Sequence, residues 1–75
     1  MERYKNLSGN SGVSAFEIGL DSIAVEFGKG GVYLYSYRSA GRGNIKQMKL
    51  LAQQGKGLGT FINKYVRTNY ERKIR

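Results

Sequence analysis

The 75-residue sequence predicts an α+β domain, a three-stranded antiparallel β-meander followed by two α-helices packed on one face of the sheet. Two observations carry that expectation. Apolar residues alternate with polar ones in three consecutive short segments separated by turn residues, and after about residue 44 they recur at helical spacing instead. A three-stranded sheet with one apolar face needs cover, and the two amphipathic segments that follow are the cover available. A chain of this length builds about one such layered core, so residues 13–75 are expected as a single domain. Residues 1–12, MERYKNLSGNSG, are polar and aperiodic and are expected as a flexible lead-in.

In the first strand, VSAFEIGL, Phe16, Ile18 and Leu20 share a face; in the second, SIAVEF, Ile23, Val25 and Phe27 do the same. A two-residue loop of Asp21 and Ser22 would set Leu20 against Ile23, Ile18 against Val25 and Phe16 against Phe27. The third strand is VYLYSY. A two-residue loop of Lys29 and Gly30 pairs Phe27 with Val32, which turns Val32 and Leu34 to the apolar face and Tyr33, Tyr35 and Tyr37 away from it. This outward register keeps all three strands consistent, whereas a slip of one residue among the glycines reverses every assignment.

The first helix is expected from Asn44, as cap with Gln47 three residues on, to Gly55, which is placed to end it. Ile45, Met48, Leu51 and Ala52 form its apolar face, Lys46, Lys49 and Gln53 gather beside it, and Leu50 falls off the stripe. The second is expected from Thr60 to about Lys73, with Phe61, Ile62, Tyr65, Val66 and Tyr70 on a broad face and Glu71 within reach of Arg67 and Arg75. GKGLGT, residues 55–60, lacks the spacing of a nucleotide-binding P-loop and follows no strand, so it reads as a helix end and tight turn. A looser role for Lys56 and the nearby amides, gripping a single phosphate, stays open.

Charge divides the chain. Residues 1–40 carry four basic and four acidic side chains, while residues 41–75 set nine bases against Glu71 alone, so the whole net charge of +8 lies in the second half. Such asymmetry points to a polyanion. Lys46, Lys49, Lys56, Lys64 and Arg67, extended by Arg42 and Arg38, are the expected phosphate-tracking surface; the competing reading is a solvated helix face. Contacts of that kind go to the backbone and carry little sequence preference.

Two stretches, F-G-K-G-G-V-Y-L-Y at 27–35 and G-L-G-T-F-I-N-K-Y-V at 57–66, resemble the KTSC domain, a small family found at the C-terminus of some lysyl-tRNA synthetases and as a stand-alone bacterial protein. The resemblance covers most of residues 13–74. The family often carries Val-Pro soon after its Y-x-Y, here Tyr33 and Tyr35, whereas Ser36 to Gly43 contains no proline and forms a longer connection. The synthetase context implies RNA rather than DNA as partner.

The chain has neither histidine nor cysteine, and the acids of the expected folded part, besides Glu71, fall on a turn (Asp21) or a strand face (Glu17, Glu26). No nucleophile, general base or metal set assembles from these, so neither an enzyme nor a cofactor is expected. The tyrosine stripe, Tyr33, Tyr35 and Tyr37, admits base stacking, but the outward register sets Glu17 and Glu26 among the rings, where they repel phosphate. Docking of a protein partner on that face is therefore the second functional expectation. A membrane surface is the weakest partner, since both apolar helix faces are needed for the core, and a polar N-terminus without a spanning run leaves the cytoplasm as the expected compartment.

Overall fold

The computed structural model describes residues 1–9 and 11–75. The fold is α+β. Five antiparallel strands, β1 (Glu2–Arg3), β2 (Val13–Ile18), β3 (Ser22–Phe27), β4 (Gly31–Ser36) and β5 (Arg72–Lys73), lie side by side in that order. The helical layer consists of α1 (Tyr37–Ala40), α2 (Arg42–Gln54) and α3 (Leu58–Phe61), which runs directly into a π-helical turn at Ile62–Val66. The central meander β2–β3–β4 is the one expected. The short outer strands β1 and β5 and the helix α1 are additional.

The β2–β3 hairpin keeps its faces but not its partners. Ile18 pairs with Ile23 and Phe16 with Val25, so the connection is longer by two residues than the loop of Asp21 and Ser22. A shift of two preserves which side each residue faces. Leu20, expected on the apolar face, is instead 96 % exposed at the tip. Near the other end of β2 a bulge between Val13 and Ala15 inserts Ser14, whose hydroxyl donates to the Glu26 carbonyl (3.2 Å) and carboxylate (3.0 Å). The extra residue puts Val13 and Phe16, three apart, into the same core.

The β3–β4 hairpin overturns the outward register. Phe27 pairs with Gly31, Val25 with Tyr33 and Ile23 with Tyr35, so the loop holds three residues instead of two. A shift of one inverts every side chain of β4. Tyr33 and Tyr35 face the helices, and Tyr35 is among the most buried side chains in the protein, 1 % exposed. Two features select this register. Gly31 takes φ +92°, a geometry suited to the residue closing a three-residue loop, and a Cβ there would lie 2.2 Å from the Arg75 carbonyl oxygen. The Tyr35 ring also removes far more surface from water than Leu34 in its place, while Val32 on the other face is covered without the helices and is 2 % exposed.

The expected second helix stops early because β4 has an open edge. An unpaired edge leaves a row of backbone donors and acceptors without partners. The chain turns back after the π-helical turn and fills it: the Glu71 amide donates to the Leu34 carbonyl (2.6 Å), Ile74 to Val32 (2.7 Å), and Val32 donates to Arg75 (2.7 Å). Glu71, expected to pair with Arg67 or Arg75, accepts a 2.7 Å hydrogen bond from the Ser36 hydroxyl.

The expected lead-in is built into the fold. Glu2 and Arg3 pair with Phe16 and Ala15, and Tyr4, 3 % exposed, joins the core, its phenol oxygen accepting a bond from the Leu58 amide at 3.2 Å. The Leu7 amide donates to the Gly55 carbonyl (2.8 Å), which brings the N-terminal segment across the end of α2. Gly55 is needed twice there: it closes α2 at φ 76°, and a Cβ would stand 2.5 Å from that of Lys5.

The core joins Phe16, Ile23, Val25 and Tyr35 of the sheet to Ile45, Met48 and Ala52 of α2 and to Leu58, Ile62 and Val66 beyond it. Each large side chain buried there contributes about 1.5–3 kcal/mol. Helix α2 starts two residues before Asn44, behind Gly41; the Asn44 amide instead donates to the Ala40 carbonyl (2.9 Å). Ser36 and Ser39 form a reciprocal capping box that starts α1 in the connection where no helix was expected. Among the described residues, no helix is long and apolar enough to cross a membrane.

Candidate nucleic-acid interface

Between α2 and α3 the chain has three residues in which to turn. Gly55 and Gly57 both adopt left-handed conformations, and the Gly55 amide closes α2 on the carbonyls of Leu51 and Ala52. GKGLGT is thus a helix end and tight turn, as its context implies, and α3 starts behind Gly57 rather than at Thr60. From there the buried positions are Leu58, Ile62 and Val66, every fourth residue. The polar positions Lys56, Thr60, Asn63 and Arg67 recur at steps of four, three and four on the exposed side, with Lys64 exposed beside them.

Two depressions flank this polar stripe, and Asn63 borders both. One, about 350 Å³, is polar, edged by Ser8, Ser11, Lys56, Gly59 and Thr60. The other, about 270 Å³, is aromatic and lies between the β3–β4 hairpin and the π-helical turn, with Phe27, Tyr33 and Tyr70 on one side and Ile62 and Arg67 on the other. Its rings are packed together. Tyr33 meets Phe27 edge-on at 5.8 Å and Tyr70 at 4.7 Å, and Tyr70 meets Tyr35 edge-on at 6.2 Å. The Lys73 ammonium stands 5.7 Å from the Tyr33 ring centre. Burial, with smaller contributions from the neighbouring Tyr33 and Tyr70, pushes the Tyr35 phenol up to about 12.

The expected basic surface divides into two groups. Lys56, Lys64 and Arg67 belong to the stripe. Arg42, Lys46 and Lys49 recur at steps of four and three along α2, whereas Lys56 lies beyond its C-terminal end, in the turn before α3. Within the second group Lys49 is occupied: its ammonium donates to the carbonyls of Gly19 (2.9 Å) and Leu20 (3.1 Å), tying α2 to the tip of the β2–β3 hairpin. Arg42 and Lys46 are exposed. Arg42 sits in the first turn of α2, which contains no acid, so its charge opposes the positive end of the helix dipole at a cost of a few tenths of a kcal/mol.

The expected aromatic contact face does not form on the outside of the sheet. Tyr35 is core, Tyr33 is half-buried in the inner cleft, and Tyr37 belongs to α1, where the Arg42 guanidinium (5.1 Å) and Lys49 ammonium (5.7 Å) lie over its ring. Reading the residues one element at a time missed Phe27, Asn63 and Tyr70 as neighbours. They come from three separate segments, and nothing in the spacing of any one segment shows that they meet. Among the described residues no group of three acidic, histidine or cysteine side chains converges to hold a metal ion. Comparison with family models, with curated proteins and with solved structures finds no match to this chain.

Proposed function

We propose that the protein is a small, non-catalytic module of KTSC type that binds nucleic acid, RNA in preference to DNA, through the phosphate backbone. The supporting observation is the polar stripe of Lys56, Thr60, Asn63 and Arg67, with Lys64 beside it, on a half of the chain that holds a single acid, and that acid, Glu71, is bonded to Ser36. Basic side chains that only solubilise are interspersed with acids; these are not. Arg42 and Lys46 supply a second, more distant contact, and their tolerance near a helix N-terminus is understandable if an anion binds there. Lys49 has a structural role instead.

The test is titration of a labelled RNA at two salt concentrations. Binding should weaken steeply with salt, and the double variant Lys64→Glu, Arg67→Glu should both weaken it and lower the logarithmic salt slope by roughly one to two. Unchanged affinity in that variant would show the stripe to be the wrong surface.

A further inference from the structure

The aromatic cleft carries an inference that rests on the nucleic-acid reading and deepens it. We infer that it is a pocket for a single unpaired base, so that the preferred partner is single-stranded. The lining combines three kinds of group. Phe27, Tyr33 and Tyr70 offer ring surface, Asn63 an amide with both donors and an acceptor, and Arg67 a guanidinium; among the described residues no carboxylate lines the cleft. Rings stack on any base, a side-chain amide pairs with a base edge, and a guanidinium holds the attached phosphate. At about 270 Å³ the cleft is at the small end of ligand sites, fitting one planar group and not a duplex.

The rings are not all consumed by the core. Tyr70 is 37 % exposed although it touches both Tyr33 and Tyr35, and Phe27 and Tyr33 are only half-buried.

The π-helical turn is what assembles the far wall. Ile62 and Arg67 both line the cleft and are five residues apart. In an α-helix that spacing puts them about 140° apart around the axis, whereas a turn bonded from i to i+5 brings such residues toward one side. π-turns are rare and concentrate at functional sites, and this one, Ile62–Val66, contributes Ile62 and Asn63 to the cleft.

The experiment compares a labelled ten-nucleotide single-stranded RNA with an oligonucleotide of the same length and charge that lacks its bases, by fluorescence anisotropy. The intact strand should bind about ten-fold more tightly or better, the gain expected of base stacking. Asn63→Ala, at an exposed position, should reduce that ratio several-fold. Equal affinity for the two strands overturns the base pocket and leaves the phosphate-binding surface standing. Absence of binding to either overturns both. Independently, a nucleoside monophosphate should move the NMR signals of the Asn63 side-chain amide and the Tyr70 ring; if inorganic phosphate moves the same signals equally, the cleft is an anion site and the inference fails.

Discussion

Two groups of three basic residues, Arg42, Lys46 and Lys49 on α2 and Lys56, Lys64 and Arg67 from the following turn onward, are equivalent in charge but not in their contacts within the protein. In the first, the Lys49 ammonium is satisfied by two hairpin carbonyls and Arg42 lies over the Tyr37 ring, while Arg42 and Lys46 stay exposed. In the second the side chains are exposed along or beside one polar stripe, and Arg67 lines the aromatic cleft. Net charge alone does not distinguish a ligand surface from a structural brace. What distinguishes them is whether protein acceptors have already satisfied the charged group.

The largest effect should come from attacking the open group. Lys64→Glu with Arg67→Glu should weaken single-stranded RNA binding about 25-fold in about 0.1 M salt, from roughly 0.7 counterions released per phosphate contact, while the thermal midpoint stays nearly unchanged. Next is the aromatic support beneath that group. The folded-state phenol of Tyr35 titrates near 12, above the ordinary value of 10, so the unfolded chain loses this proton first as pH rises. The stabilisation is complete below about pH 10 and falls away between about 10 and 12, by on the order of 2 kcal/mol, in alkaline denaturation curves. Tyr35→Phe should remove that component of the pH dependence.

For the closed group the expectation reverses. Lys49→Met should cost about 1 kcal/mol of stability in urea unfolding, since a charge-assisted bond is lost from a half-exposed site, with RNA affinity changed less than two-fold. An affinity loss as large as that of the Lys64, Arg67 pair would erase the distinction between the groups. The smallest effect belongs to Arg42→Gln with Lys46→Gln: roughly three-fold weaker binding, accompanied by a few tenths of a kcal/mol gain in stability as the unfavourable charge leaves the start of α2.

How far the chain could be read depended on parity. Both hairpin loops are longer than the two-residue loops their turn residues permit. The first is longer by two, and Phe16, Ile18, Ile23 and Val25 kept the faces their alternation implies. The second is longer by one, which sent Tyr33 and Tyr35 inward and removed the external tyrosine face. The glycines Gly28, Gly30 and Gly31 accept either loop with little strain, so the sequence of the turn does not separate the two outcomes. The decision comes from Arg75, forty-four residues further on, which packs against Gly31, and from the helices that bury Tyr35. Residues 67–73, expected as the end of the second helix, were misread for the same reason: the open edge of β4 offers their backbone partners instead.

By itself the sequence determined the properties that depend on neighbouring residues: the alternation of β2 and β3, the apolar face of Ile45, Met48 and Ala52, the end of α2 at Gly55, and the concentration of charge beyond residue 41. Tertiary structure alone decided the register of β4, the recruitment of Tyr4 and of the C-terminal strand, the occupation of Lys49, and the meeting of Phe27, Asn63 and Tyr70 at one cleft. Those outcomes are choices among conformations of nearly equal local energy. Contacts between distant segments, each too small to be legible on its own strand or helix, separate them.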